Sequence, residues 1–398
     1  MISGMRKRMG TFVAVIAGLL ALGLLIPMLF SGSSPGGAAA RLTVAKVNRE
    51  RVSALDLSRE FYRAYYYRTS FGGLKAEDLD ALRSQALDGL VEQAMILDAA
   101  KSAGLKPDQD QVEAAYKAEL AYFKNEQEFT QAMAGWAYTP KTYKQELGER
   151  QLIEKYPLYV KPVEVTEDDV NAEFERAQKT NPKLTLDEAR ESIEKLVRAR
   201  KEKEARDGLI AELREKAQIK ITDPQVLAYR AMQDEKYDEA VKLYKKAIKQ
   251  SPEDPYLQVS LGRALAAAGR GEDSKAAFEK AVKLRADDRF ILIAQADGLR
   301  QAGEDEAAAE VYRQAAKVAG DDMFAHGLIQ SAFEEMGLEE DAQAQAEKVQ
   351  ELQKAMLERY QAQQEAAAQE AEDAKDAEDA QEAEDAQEAE DAQGAEQE

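Results

Sequence analysis

Cysteine is missing from this chain altogether, and histidine and tryptophan occur once each in 398 residues. The first absence removes disulfides, thiolate metal sites and cysteine nucleophiles. It is compatible with a location outside the cytoplasm without indicating one. The single histidine, His326, leaves no paired-histidine catalysis or metal site, and with no second histidine or acid cluster beside it in the sequence it reads as a packing residue. There is no phosphate-binding glycine loop, no dinucleotide fingerprint, no HExxH and no nucleophile elbow. Carboxylates are abundant, but helices this charged bring them together in any case, and nothing marks a pair as tuned. The chain therefore reads as no enzyme, with no cofactor and no metal. Positive charge is also in deficit: 54 Lys and Arg stand against 75 Asp and Glu, net −21. A nucleic-acid binder needs a basic face for phosphates, so that class is excluded.

The negative charge is uneven. Residues 361–398 hold 15 acids and one lysine, net −14, which leaves only −7 for the other 360 residues. In that segment alanine recurs every third residue while a helix turns every 3.6, so the alanines cannot build a lasting apolar face. An acidic Ala/Glu/Asp/Gln-rich tail, disordered or transiently helical, is expected there. The opposite end differs. Residues 1–10 carry Arg6, Lys7 and Arg8, and residues 11–30, "TFVAVIAGLLALGLLIPMLF", carry no charge. Twenty helical residues span about 30 Å, the thickness of a bilayer's hydrocarbon core. With the basic residues held inside, the bulk of the chain is expected on the outer side of an inner membrane, as a single-pass periplasmic protein. A signal peptide cleaved at the small residues 38–40 is the competing reading, but its apolar region runs only about 7 to 15 residues, so an uncleaved anchor is favoured. Residues 31–41, with "SGSSPGG", form a flexible linker.

A chain of 398 residues is too long for one core. From 42, "LTVAKVNRERVSALDLSREF" reads as a short strand, a turn and a helix capped by Ser53. A longer helix follows, with Leu79, Leu82, Ala86, Leu90, Ala94 and Leu97 at three- and four-residue steps and Leu87, Val91 and Met95 broadening the stripe. Gly104 ends it. Asp108 with Gln111, Thr166, and Thr185 with Glu188 open further helices in capping-box style. A polar helix to about 217 and the alternating "AQIKIT" close the segment.

The strings "VAKVNRERVSALDLSREF", "LRSQALDGLVEQAMILDAAKSAGLKPDQDQVEAAY", "VEVTEDDVNAEF" and "EARESIEKLVRARKEKEARDGLIAELREKAQIKI" resemble, in order along 42–222, the N-terminal chaperone domain of SurA and PpiD. The resemblance implies a mostly helical module in which 43–47 lies antiparallel to 218–222. It also marks a departure. Those proteins carry a parvulin prolyl-isomerase domain where this chain has only "ERAQKTNPKL", too short for a domain. Parvulin sites use histidines as well, so isomerase activity is not expected.

Downstream the sequence repeats at a period of 34. Ala240, Ser274, Ala308 and Ala342 are 34 apart, as are Tyr244, Phe278, Tyr312 and Ala346, and again Ala247, Ala281, Ala315 and Val349. Small residues let paired helices approach, and an aromatic fills the gap between repeats. "YDEAVKLYKKAIKQSPEDP" and Leu261-Gly262 resemble tetratricopeptide repeats. Four fit, near 221–254, 255–288, 289–322 and 323–356, the last a cap within an array at 223–360. The groove register of such repeats implies Tyr229, Arg263, Asp297 and Arg300 as lining residues, against the plain alternative of solvated surface.

Two aromatic clusters remain. Phe61, Tyr62, Tyr65, Tyr66, Tyr67 and Phe71 fall on both sides of one helix, so both faces cannot pack inward. Phe61 and Tyr65 are read as core, and Tyr62, Tyr66, Tyr67 and Phe71 as candidates for contact with clients, with ordinary packing equally open. Tyrosine suits such a surface because its ring is apolar and its hydroxyl stays hydrated. Tyr122, Phe123, Phe129, Met133, Trp136 and Tyr138 form a second set of candidates for contact with clients. The expected function is a membrane-anchored holdase chaperone for unfolded or newly translocated polypeptides. The alternative is an envelope scaffold whose repeats recruit one fixed protein partner. The architecture is similar to PpiD without its isomerase joined to a YfgM-like repeat module, which implies work at the Sec translocon.

Overall fold

The pairing expected between the first and last strands of the upstream module is present in the structure, a computed structural model that describes residues 42–71 and 73–395. Strands β1 (Thr43–Val47), β2 (Glu50–Ser53) and β3 (Ile219–Ile221) form an antiparallel sheet with β1 in the middle. Ala45 opposes Ile221, Lys46 opposes Lys220 and Val47 opposes Ile219. The two-stranded expectation missed β2, which returns from β1 through a tight turn. Asn48 takes a left-handed φ of 51° there, a conformation asparagine tolerates. The Asn48 and Arg49 side chains then donate to the Asp98 carboxylate at 3.2 and 2.8 Å, which holds the hairpin tip to a helix.

Seven helices complete the upstream module: α1 (Ala54–Phe71), α2 (Asp78–Ser102), α3 (Gln109–Leu120), α4 (Glu126–Gly135), α5 (Pro140–Val160), α6 (Glu167–Thr180) and α7 (Leu186–Lys216). Their starts follow the side-chain chemistry of capping. Ser53 and Asp56 exchange bonds at the head of α1. Asp108 accepts from the Asp110 and Gln111 amides, and Thr166 with Asp169 forms a full capping box. Thr185 departs from the expectation, because its hydroxyl goes to Glu188 rather than to a backbone amide. Gly104, at φ 80°, ends α2 as expected. The sheet core gathers Val44, Val47, Val52, Leu57, Leu87, Val91 and Met95. Helices α3 to α5 have a separate core of their own around Tyr116, Phe129, Met133 and Leu147, so they form an arm.

Eight helices follow, α8 (Pro224–Gln233), α9 (Tyr237–Gln250), α10 (Pro255–Ala267), α11 (Gly271–Leu284), α12 (Arg289–Gln301), α13 (Asp305–Ala319), α14 (Met323–Glu335) and α15 (Glu339–Ala395), with α8 packed on α9, α12 on α13 and α14 on α15. The residues of the 34-residue period do what their size suggests. Ala240, Ser274, Ala308 and Ala342 are buried, as are Tyr244, Phe278 and Tyr312.

By its internal contacts the chain divides into two compact units, Met1–Gly269 and Arg270–Glu398. The first repeat and the first helix of the second thus belong with the upstream module, whereas the sequence placed a boundary at 222/223. Polar contacts account for this. Arg83 of α2 pairs with Asp223 at 2.8 Å, Asp88 with Arg230 at 2.8 Å, and Val226 of α8 completes the sheet core.

The basic terminus 1–10, the membrane span at 11–30 and the linker 31–41 lie outside the described residues. Among the described residues no helix is long and apolar enough to cross a membrane. After 361, where a disordered or transiently helical tail was expected, α15 runs on to Ala395. Alanine, glutamate and glutamine have high intrinsic helix propensity, which sustains a helix locally even where it has no face to bury.

A candidate polypeptide-binding cleft

Between α1, α2, β2 and the α3–α5 arm lies a cleft of about 820 Å³. That volume is in the range that takes a drug-sized molecule or a short stretch of chain. Helix α2 supplies Leu90, Ala94 and Leu97, which its broad apolar stripe aims inward, and α5 supplies Tyr143 and Ile153. All six residues of the second aromatic set, Tyr122, Phe123, Phe129, Met133, Trp136 and Tyr138, line it.

Their exposure is graded. Tyr122, at 46%, stands at the mouth, and Phe123 and Trp136 are half-buried. Phe129, Met133 and Tyr138, among the candidates for client contact, are buried. Three rings explain it: Tyr116 and Phe123 lie 5.2 and 5.0 Å from Phe129, so the arm uses Phe129 as its own packing centre. These buried residues form the floor, and the half-exposed ones form the wall.

The first aromatic cluster is elsewhere. The α1 side chains that reach the cleft are Asp56, Arg59, Glu60 and Arg63, none of them aromatic. Phe61 and Tyr65, read as core, are only half-buried and stack 6.2 Å apart, so that expectation is corrected. Tyr62 packs edge-on to Phe61 at 5.4 Å and, like Tyr66, is half-buried, while Tyr67 is 66% exposed. The side chain of Phe71 falls outside the described part.

The rim carries both signs of charge, largely paired. Arg63 meets Glu60 at 2.5 Å and Lys101 meets Glu50 at 3.0 Å. Arg59, which nothing in the sequence singled out, is 8% exposed and sits with its guanidinium 3.5 Å over the Tyr138 ring. Burial pushes the Tyr138 hydroxyl up to about 12, against the opposing effect of Arg59. Burial and the neighbouring Glu119 raise Tyr143 as well, and its hydroxyl donates to that carboxylate. Both phenols stay neutral at physiological pH, and the cleft offers rings and methyl groups rather than nucleophiles.

Three of the four residues implied for the repeat groove have partners within their own unit. Arg263 pairs with Glu77, ahead of α2, at 3.2 Å. Tyr229 is half-buried on α8. Asp297 accepts from the Tyr312 hydroxyl, and Arg300 meets Glu335 at 2.5 Å. His326 is 4% exposed, with Nδ1 2.7 Å from Gln345 Oε1 and Nε2 3.0 Å from the Gly320 carbonyl. Among the described residues no group of His, Asp and Glu is arranged to hold a metal.

A helical module with a small sheet and an apolar cleft, followed by stacked helix pairs, is the architecture of a chaperone-like and protein-interaction protein. Residues 1–157 match the family model of a SurA-like N-terminal domain, and residues 231–296 match a tetratricopeptide repeat. The chain thus carries a SurA-like N-terminal segment and tetratricopeptide repeats, modules of the chaperone-like and protein-interaction kind rather than catalytic ones. No curated protein matches it. Among solved structures it is similar to MamA, at 19% identity over 33% of this chain and 77% of that one, with a TM-score of 0.28. It is similar also to the TPR2B domain of yeast Sti1 in complex with an Hsp70 peptide, at 17% identity over 33% and 94%, TM-score 0.23. A third is PcrH with the chaperone-binding region of PopB, at 18% over 27% and 86%, TM-score 0.25. Likeness at these levels adds nothing to the fold already described.

Proposed function

We propose that this protein is a membrane-anchored holdase that keeps unfolded or newly translocated polypeptides from aggregating on the outer side of an inner membrane. The single observation behind the reading is the cleft: rings and methyl groups left half-open, with a charge-paired rim and no catalytic constellation among the described residues. Residues 11–30 are the anchor, and a place beside the Sec translocon goes with the PpiD and YfgM resemblances. With no isomerase segment and no nucleotide-binding motif, holding is reversible and draws its strength from several weak contacts at once. The domain limits follow from the same reading: 42–222 grips clients and 223–360 is the interaction array.

Suppression of aggregation of an unfolded model protein by the purified full chain tests this. Near-stoichiometric suppression is expected, and Tyr122→Asp, at the mouth of the cleft, should weaken it several-fold while helicity stays intact. Photocrosslinking from Tyr122 in cells should capture many different secreted chains. One stoichiometric product instead would mean a scaffold with a fixed partner.

A further inference from the structure

Alone among the charged residues that line the cleft, Arg59 is buried. Its Nε donates to the Trp136 carbonyl at 2.8 Å and its Nη2 to the Ala137 carbonyl at 2.9 Å. These two oxygens belong to the corner between α4 and α5. At that corner the Tyr138 amide returns to the Met133 carbonyl at 2.9 Å and the Ala137 amide to the Ala134 carbonyl at 2.9 Å. The pattern is a helix-ending turn whose left-handed position is usually glycine. Here that position is Ala137, at φ 55°, so the corner is held in a conformation its own residue disfavours. The arm has a core separate from the sheet, and the planar guanidinium of Arg59 spans the gap from α1 with two hydrogen bonds and a stacked ring.

We propose that Arg59 is the positioning residue of the client site: it clasps the α4–α5 corner to α1 and so holds Trp136 of the wall and Tyr138 of the floor in a preformed arrangement. This rests on the reading that the cleft holds clients. With the clasp removed, the two carbonyls lose their donor and the strained turn relaxes. A client must then order the wall itself, which lowers affinity.

Trp136 is the only tryptophan of the chain, so its emission reports the wall directly. The experiment uses the full chain, its Arg59→Ala and Arg59→Lys variants, and Ala137→Gly in both backgrounds. A tryptophan-free, carboxymethylated unfolded polypeptide serves as client. Arg59→Ala should shift Trp136 emission to the red without client, speed amide exchange at 134–138, and reduce client affinity roughly tenfold, the usual direction when preorganisation is lost. Arg59→Lys should fall between. Ala137→Gly suits the turn and should restore much of the loss in the Arg59→Ala background, which filling a hole elsewhere would not do. Unchanged emission and exchange in Arg59→Ala would overturn the clasp. A shifted emission with unchanged affinity, or no rescue by Ala137→Gly, would overturn the positioning role. If the wild-type chain binds no client, the reading of the cleft fails, while the clasp still stands or falls on emission and exchange.

Discussion

The Tyr244 hydroxyl donates to the Asp80 carboxylate at 2.7 Å, joining residues 164 positions apart. Asp80 lies in the first turn of α2 and Tyr244 is the aromatic of the first repeat. The other Asp80 oxygen accepts from Gln225 of α8 at 2.7 Å. Just ahead of α2, Glu77 reaches Arg263 of α10. The start of α2 thus rests on the first helices of the first two repeats, on the side where the groove register placed Arg263.

Asp80→Ala removes the acceptor of two donors, Gln225 and Tyr244, in a buried site. The first unit should lose about 2–4 kcal/mol, since each stranded polar group costs roughly 1–3 kcal/mol. Tyr244→Phe deletes one hydroxyl and should cost about 1 kcal/mol. The double variant should cost less than the sum of the singles, because both remove one network. Denaturant unfolding of the four chains measures this, and full additivity would mean the two residues do not act together.

The pH dependence of the upstream module should split in two. Asp169 of α6 is held well below the usual carboxylate range by Lys201 and by Thr166, Glu173 is lowered by Arg200, and Glu167 by Arg190. A carboxylate with a lowered folded pKa contributes stability above its unfolded value and loses it as pH falls through the folded one. Asp80 goes the other way. Burial raises it, against hydrogen bonds from Ser260, Gln225 and Tyr244 and the charge of Arg263. Asp254 is likewise raised by burial and by Asp80. Their contribution is fullest below the ordinary aspartate range and is lost as pH rises through the raised value. Acidification from neutral through the ordinary carboxylate range and below it should therefore weaken the α6–α7 hairpin progressively, while Asp80 and Asp254 keep their contribution at the α2–α8 junction. Amide exchange corrected for intrinsic rates, with α6 compared to α8, decides this. Simultaneous loosening would contradict it.

The parts legible in the sequence are those where neighbours along the chain carry the information. Ala240, Ala308 and Tyr312 show by size alone how helices pair, and the alternation of Thr43–Val47 with its resemblance placed β1 against β3. Asp80 and Arg59 gave no such sign. Each is one charge on a charged helix, and what buries it comes from residues some 80 to 160 positions away. The cleft residues 122–138 were visible as a cluster, but their grading into floor and wall was not, because it depends on Tyr116 and Tyr143 meeting Phe129 in space.

Gly298 of α12 is fixed by its neighbour. A Cβ there would lie 2.5 Å from Phe278 Cε2 and 3.0 Å from Cδ2, with the ring itself only 3% exposed. Gly298→Ala should destabilise the second unit by about 1–3 kcal/mol, the usual cost of overpacking, despite alanine's better helix propensity. Phe278→Leu costs stability through lost ring contacts, yet in that background Gly298→Ala should be nearly neutral. Thermal unfolding of the single and double variants reads the coupling. If Gly298→Ala raises the midpoint, the close approach is not a constraint.

The turn between the paired helices of each repeat recurs at Glu235, Gly269, Gly303 and Gly337, with φ values of 59°, 71°, 79° and 70°. Three of the four use glycine, which takes the left-handed region at no steric cost. Glu235 is the exception. Its amide returns to the Met232 carbonyl and the Lys236 amide to the Ala231 carbonyl, so the turn is fully bonded and only the side chain is wrong for it. Glu235→Gly should therefore stabilise the first unit by about 0.5–1 kcal/mol, the strain relieved less the extra freedom glycine gives the unfolded chain. Gly269→Ala, where a Cβ meets nothing within 4 Å, should cost about 1 kcal/mol through backbone strain alone. Opposite signs at two equivalent turns, read from denaturation midpoints, isolate backbone conformation from packing. A loss at both positions would mean that the Glu235 side chain contributes more than its backbone costs.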